Sequence, residues 1–174
     1  MHITTKTGDK GTTQISVDKR VSKGSLLVEF MGNIDEIQVI LGASDQFTPE
    51  VASKLVQLQK DIFSVASFFY NQTNTLPHMI TQLEQWQDGL LKMMHLEYQW
   101  HLTTPQTYIL DEARVRVRRA ERTLVRMKDE HIVGDEANDA LIYLNRLSDL
   151  LWVFGRFVKQ KPYNPSQKTK ESLV

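Results

Sequence analysis

Ala113-Arg114-Val115-Arg116-Val117-Arg118-Arg119-Ala120-Glu121-Arg122 is the stretch whose reading decides the fold. At about 100° per residue, Leu110, Ala113, Val117, Ala120, Leu124 and Met127 fall on one apolar stripe, which must face a core. Arg114, Arg118, Glu121 and Arg122 then share a polar arc bordering that stripe, while Arg116, Arg119 and Arg126 point more nearly away from it. Guanidinium groups beside a buried face repel one another and lose hydration, so they need carboxylates or a polyanionic ligand opposite them. Glu121 can partner only some of them. The segment by itself admits two readings, a solvated basic face laced with i,i+4 pairs or one wall of an anion site.

Outward from this helix the chain reads as helical. Leu27, Phe30, Met31, Ile34, Ile37, Ile40 and Leu41 keep helical spacing between Leu27 and Ser44, with Asp35 beside the stripe. Thr48, Pro49 and Glu50 supply an N-cap, a first-turn proline and a first-turn acid for a helix to Asn71, whose stripe is Val51, Leu55, Leu58, Ile62, Val65 and Phe69. Residues 72 to 78 read as a loop, and a shorter helix from Met79 to Met94 follows, weakened slightly by Gly89. The aromatic-rich connection from His95 to Pro105 either walls a flat ligand or folds onto the bundle end. His95 and His101 lack a third ligand at metal-site spacing, so no metal site is expected there. After a polar break at 128 to 135, a last helix from Glu136 to Val158 carries Ala140, Leu144, Leu147, Leu151 and Phe154 inward, with Asn145, Asp149 and Trp152 on its shoulder.

The first 25 residues differ. Residues 4 to 25 are rich in Thr, Gly, Lys, Asp and Ser, without strand-length alternation, and predict a long irregular segment. Irregular segments of that length are usually functional or disordered. In Thr5-Lys6-Thr7-Gly8-Asp9-Lys10-Gly11-Thr12-Thr13, glycines let backbone N–H groups approach phosphate oxygens, hydroxyls add donors and lysines add charge. The spacing is not that of a Walker A loop. A flexible tail has the same composition.

Composition narrows the classes. With 21 basic and 21 acidic side chains among 174 residues, no global field draws the chain to nucleic acid or an anionic membrane, so any anion site must be local. The lack of cysteine removes disulfides, thiolate catalysis and cysteine-held metals, and suits a reducing cytosol. No apolar run is long enough to span a bilayer. A cytoplasmic protein is therefore expected. With no repeat and no linker, the expectation is one all-α domain over 1–174: an N-terminal loop (1–25), a bundle of four or five helices (26–158) and a mobile tail (159–174), with a candidate polyphosphate site.

At three separated places the sequence resembles the PduO-type ATP:cob(I)alamin adenosyltransferases. Thr5-Lys6-Thr7-Gly8-Asp9-Lys10-Gly11 with Arg20-Val21-Ser22-Lys23 resembles the family's ATP loop, and Gly32-Asn33-Ile34-Asp35-Glu36-Ile37 its Gly-x-Val-Asp-Glu-Leu helix. Arg118-Arg119-Ala120-Glu121-Arg122 and Tyr143-Leu144-Asn145-Arg146-Leu147-Ser148-Asp149 resemble its two signature helices. Order and spacing match over residues 4 to 158.

The resemblance implies a five-helix, ferritin-like bundle, a four-helix up-down core plus one extra helix, assembled as a homotrimer with ATP and a corrinoid meeting at each subunit interface. It implies transfer of the 5'-deoxyadenosyl group of ATP to the cobalt of cob(I)alamin, with release of triphosphate. Cobalt is the nucleophile, so the protein positions and stabilises and needs no serine or cysteine. Carried over position by position, Thr5, Lys6, Thr7, Gly8, Thr13, Gln14 and Lys23 would hold Mg-ATP through its triphosphate and Mg²⁺, Arg118, Glu121 and Arg122 would close on ATP, and Asn145 would contact the nucleoside. Asp35 would pair with Arg114 of a neighbouring subunit and organise the corrinoid pocket, and Tyr98 would lie against the lower face of the corrin. A cob(II)alamin reductase and an adenosylcobalamin-dependent enzyme are the protein partners it implies. A binding or delivery protein of the same fold, holding ATP or a corrinoid without turnover, is the alternative. The sequence departs from the family pattern at Val17-Asp18, where a glycine is frequent, at Gln38, at Asp111, where a histidine is common, and at Trp100-His101-Leu102-Thr103, where a Leu-Pro-Gly-Gly turn is usual.

Overall fold

The computed structural model describes residues 4–16, 19–71, 75–94 and 101–160, and the side chains of all of these but 68–71. The expectations for Tyr98, His95, Trp100 and the tail from 161 lie outside the described residues.

Five helices carry the chain: α1 (Leu26–Leu41), α2 (Pro49–Asn71), α3 (Leu76–Lys92), α4 (Tyr108–Asp129) and α5 (Asn138–Gln160). α5 packs between α4 and α3, α4 between α5 and α1, and α1 between α4 and α2, so the arginine helix has neighbours on two sides. The stripe that helical spacing picked out on α4 is wholly buried: Leu110, Ala113, Val117, Ala120, Leu124 and Met127. So are Ala140, Leu144, Leu147, Leu151 and Phe154 of α5. Two neighbours bury more of α5 than one stripe, and Tyr143, Leu150, Val153 and Phe157 join them. Replacing a fully buried leucine such as Leu144 by alanine would cost about 2–5 kcal/mol.

The structure corrects the sequence reading at the N-terminus. Within the segment expected to be irregular, β1 (Thr12–Ser16) and β2 (Lys19–Ser22) pair antiparallel, Thr12 opposite Ser22, Thr13 opposite Val21 and Gln14 opposite Arg20. Neither strand alternates apolar and polar residues, because the ribbon buries no face of its own, and the register shifts between Gln14 and Ser16. Helix ends move as well. α1 stops at Leu41 and a 3-10 turn covers Ser44–Gln46; α3 begins at Leu76, taking Pro77 into its first turn, where the missing N–H costs nothing. α5 is preceded by a 3-10 turn at Asp135–Ala137 and runs on to Gln160, so residues 159 and 160 belong to the bundle and not to the tail. The Thr48 cap bond on α2 is stretched, Val51 N–H to Thr48 Oγ1 being 3.5 Å. No helix among the described residues is long and apolar enough to cross a membrane.

Among the described residues two carboxylates are buried, Asp61 and Asp111. Asp61 of α2 is 3% exposed and its Oδ1 accepts from Gln57 Nε2 at 2.7 Å, while Oδ2 and the Tyr143 hydroxyl are buried without partners. Burial pushes the Asp61 carboxyl above the usual carboxylate range against the opposing pull of Gln57, His78 and Lys60. A carboxyl raised in the fold adds stability that is fully present below the unfolded value, about 3.9, and is lost as pH rises through the folded value. Asp61→Asn keeps the Gln57 bond and removes the charge. It should therefore melt higher than wild type at pH 7, with the difference closing as pH falls toward 4; a lower melting temperature at pH 7 would show the charge to be stabilising.

Candidate active site

The N-terminal loop is organised by one guanidinium. Arg20 Nη2 donates to Thr7 O at 2.6 Å and Thr12 O at 3.1 Å, and Arg20 Nε donates to Thr12 Oγ1 at 3.3 Å, so β2 ties both ends of the Gly8-to-Gly11 turn together. Inside the turn, Gly11 N–H bonds Gly8 O at 3.1 Å, and Lys23 N–H closes on Gly11 O at 2.9 Å. Gly11 takes φ 75°, a conformation that side-chain-bearing residues rarely adopt. At Gly8 a Cβ would lie 3.0 Å from Lys23 Nζ, so a side chain there would push the lysine end aside. The ammonium group thus rests against the loop backbone at Gly8, and the hydroxyls of Thr5 and Thr7 bond each other at 3.0 Å. Thr5, Lys6, Thr7, Gln14 and Lys23 are exposed, Gly8 and Thr13 half-buried.

On α4 the arginines divide, though not as their helical positions suggested. Those expected to point away from the core face α1. Arg116 lies between Glu36 and Glu112, its Nε donating to Glu112 Oε1 at 2.7 Å and its Nη1 to Glu36, and these bonds, Glu112 first, push its pKa up. Arg119 Nη1 reaches the same Glu36 at 3.2 Å, and Arg126 Nη2 reaches Glu29 at 2.5 Å. A buried bond from Asn33 Nδ2 to Thr123 Oγ1, 3.0 Å, sits between these pairs and fixes the register of α1 on α4. Arg118 and Arg122, by contrast, are exposed and make no ion pair among the described residues.

Two of the predicted site residues meet. Asn145 Nδ2 of α5 donates to Glu121 Oε1 of α4 at 3.3 Å, and Asn145 Oδ1 accepts from Arg146 Nη1 at 3.0 Å, with Arg146 Nε on Glu84 of α3 at 2.9 Å. The amide is oriented from both ends, one turn from the free guanidinium groups. Asp35 and Arg114 do not meet in one chain: Asp35 is exposed on α1, and Arg114 Nε lies 3.8 Å from Asp111 Oδ1. Nor do the bonds described for Thr5, Thr7, Gly8 and Lys23 reach α4. The residues therefore form three groups, a hydroxyl- and cation-bearing loop, an Arg118–Glu121–Arg122–Asn145 face, and an isolated Asp35.

Sequence reasoning gave no duty to Arg20, Glu29 or Glu36. Arg20 sits opposite Gln14 in the ribbon, a pairing no periodicity signals. Glu29 and Glu36 stand seven residues apart on α1, as Arg119 and Arg126 do on α4, and that matched spacing was the available sign of a charged seam.

Residues 3–158 match the model of the family described as cobalamin adenosyltransferase. The chain belongs to this family. It is 30% identical to a cobalamin adenosyltransferase of Cupriavidus metallidurans, over 91% of this chain and 88% of that one. To a corrinoid adenosyltransferase of Citrobacter freundii it is 31% identical, over 92% of this chain and 96% of the relative. Among solved structures, a variant PduO-type ATP:corrinoid adenosyltransferase from Lactobacillus reuteri complexed with cobalamin and ATP superposes with a TM-score of 0.81 at 24% identity, covering 91% of each chain. The five-helix architecture is thus the one that the adenosyltransferase resemblance implied.

The division of the arginines predicts a division in stability. Removing Arg116 leaves Glu36 and Glu112 short of a partner, whereas removing Arg118 leaves nothing unpaired. Arg116→Ala should lower the melting temperature by about 1–3 °C and Arg118→Ala by less than about 1 °C. Equal losses would mean that Arg118 has a structural partner.

Proposed function

We propose that this cobalamin adenosyltransferase family member transfers the 5'-deoxyadenosyl group of ATP to the cobalt of cob(I)alamin, giving adenosylcobalamin and triphosphate. The observation that carries the reading is a pair of unneutralised guanidinium groups, Arg118 and Arg122, beside an oriented Glu121–Asn145 pair, on a helix whose Arg116, Arg119 and Arg126 are matched by acids of α1. A triphosphate supplies the missing negative charge, and planar guanidinium groups suit its oxygens. The amide of Asn145 suits the polar edge of a nucleoside. The relatives are cobalamin and corrinoid adenosyltransferases, and the similar Lactobacillus reuteri PduO-type ATP:corrinoid adenosyltransferase structure holds both cobalamin and ATP.

The bond changes balance without a protein nucleophile. The cobalt lone pair of the reduced corrinoid attacks C5' of ATP, the Co–C bond forms, the C5'–O5' bond breaks, and its electron pair leaves on triphosphate; cobalt is formally oxidised by two electrons. The protein's part is to hold C5' in line with cobalt and to stabilise charge gathering on the leaving oxygen. Arg118 takes that second task, with Arg122 beside it. Thr5, Lys6, Thr7, Gly8, Thr13, Gln14 and Lys23 cradle the triphosphate: N–H groups and hydroxyls approach where Gly8 leaves room, and Lys23 already lies over that spot.

Magnesium fits as a passenger of ATP. Among the described residues no cluster of three His, Cys, Asp or Glu side chains could hold a metal by itself, and the loop offers threonine hydroxyls and an amide, hard oxygen donors that suit an ion keeping phosphate and water ligands. When bound it would offset triphosphate charge.

A second copy completes the site. The bonds described for Thr5, Thr7, Gly8 and Lys23 do not reach the α4 face, Asp35 stands exposed, and the terminal nitrogens of Arg114 make no hydrogen bond among the described residues. Exposed Tyr108, Val115 and Val125 on α4 add apolar area for a neighbour to cover. A homotrimer, with loop and α4 face contributed by different subunits and Asp35 of one meeting Arg114 of the next, satisfies all of these. Its reduced corrinoid comes from a one-electron reductase acting on cob(II)alamin, and an adenosylcobalamin-dependent enzyme takes the product; a cytoplasmic setting suits the cysteine-free chain.

With ATP and chemically reduced cobalamin, the expected products are the cobalt–carbon species, followed spectrally, and intact triphosphate in equal amount. Arg118→Lys should cut turnover at least tenfold while binding Mg-ATP, because a point charge loses the fork. Orthophosphate or pyrophosphate as the main product would refute the reaction, and binding of both ligands without turnover would favour the delivery protein. Sedimentation should give a trimer; a fully active monomer would remove the interface from the mechanism.

A further inference from the structure

The first turn of α4 buries more charge than it pairs. Thr107 is fully buried and donates from Oγ1 to Asp111 Oδ2 at 2.8 Å. The other oxygen, Oδ1, faces two cations, Arg114 Nε at 3.8 Å and Arg156 Nη2 of α5 at 3.9 Å. Both separations are too long for hydrogen bonds. The carboxylate is fixed by Thr107 and attracts both guanidinium groups without holding either. Arg156 is 4% exposed, its Nε and Nη1 are buried without hydrogen-bond partners, and its guanidinium carbon lies 5.4 Å from the centroid of Trp152. Arg114 turns a buried, unbonded Nε inward, yet its side chain is 30% exposed, so its two terminal nitrogens reach the surface.

A purely structural ion pair would close. Asp111 and Arg114 are separated by one helical turn, and a carboxylate with one cation beside it would draw that cation into a forked hydrogen bond, engaging the terminal nitrogens. The buried charge of Arg156 on the far side of Oδ1 competes for the same oxygen, and Thr107 pins the other. The Trp152 ring, 5.4 Å from the Arg156 guanidinium carbon, flanks that cation on α5.

We infer that Thr107, Asp111 and Arg156 form a positioning group for Arg114, drawing its Nε toward the core by charge while leaving its terminal nitrogens open to a carboxylate from outside the chain. This rests on the proposed adenosyltransferase reading, in which that carboxylate is Asp35 of a second subunit at the corrinoid end of the site. Thr107, Asp111 and Arg156 touch no substrate. They act through Arg114, so their loss should be felt by the corrinoid and not by ATP.

The test is a set of steady-state measurements on the full chain, with KM for reduced cobalamin and for ATP taken separately. Because Asp111→Asn leaves Arg156 buried without a counter-ion and could unfold the chain, Thr107→Val, close in shape and lacking only the hydroxyl, is made beside it, with Thr107→Ser as the conservative control. The expected result is a cobalamin KM raised at least fivefold in Thr107→Val and Asp111→Asn, an ATP KM within twofold of wild type, and wild-type behaviour in Thr107→Ser. Adding Thr107→Val to Arg114→Ala should change the cobalamin KM no further, since the route through Arg114 is already cut. If Thr107→Val lowers kcat and stability but leaves the cobalamin KM unchanged, or if its effect adds in full to that of Arg114→Ala, the group is structural and the inference falls. If Arg114→Ala itself leaves the cobalamin KM unchanged, the role assigned to Arg114 in the functional reading fails, and the positioning role with it.

Discussion

The seam between α1 and α4 is the constraint on which the rest depends. Asn33 and Thr123 bond in a buried position, and Glu29 and Glu36 take Arg126, Arg116 and Arg119 on either side of that bond. A buried amide that loses its partner costs about 1–3 kcal/mol, so one hydrogen bond resists sliding or rotation of α4 more firmly than the exposed ion pairs do. With the rotation fixed, the apolar stripe of α4 meets α5, its acid-matched arginines meet α1, and Arg118 and Arg122 are left facing out. The exposed pair Arg118 and Arg122, proposed to bind triphosphate, is a remainder after α1 has neutralised its share of a cationic helix.

The N-terminal loop obeys the same economy of charge. Arg20 gives its donors to the carbonyl groups of Thr7 and Thr12, so this guanidinium shapes the loop and is not available to a ligand, whereas Lys23 keeps its ammonium beside Gly8. A loop built this way would present its donors already arranged to the triphosphate proposed to bind there. Preorganisation of that kind reduces the ordering cost of binding.

Inside the bundle the polar groups are less well satisfied than around it. Asp61 with Tyr143, and Asp111 with Arg114 and Arg156, leave buried donors and acceptors without partners. They differ in what lies nearby. Asp61 sits among the packed faces of α2 and α5 with no site residue beside it, so its cost is a cost to stability alone. The Asp111 group is next to Arg114 and the surface, where an incompletely satisfied guanidinium is ready for an incoming acid.

The sequence by itself determined the helices and the stripes of α4 and α5. Every position that spacing picked out on those two stripes is buried, because a helix's period is local and needs no neighbour to be read. Motif resemblance went further and placed Glu121 and Asn145 in one site, which their hydrogen bond across α4 and α5 now joins. Tertiary structure alone decided what each charge does. Whether Arg116 or Arg118 is free depends on where α1 lies, and Arg20 becomes a brace only when a short ribbon, invisible to periodicity, folds it over Thr7 and Thr12. The placement of Arg156 beside Asp111, from helices far apart in the chain, likewise has no local signal. Apolar burial follows from a helix's own pattern, whereas a charge acquires its role from partners that only the packed chain brings within a few ångströms.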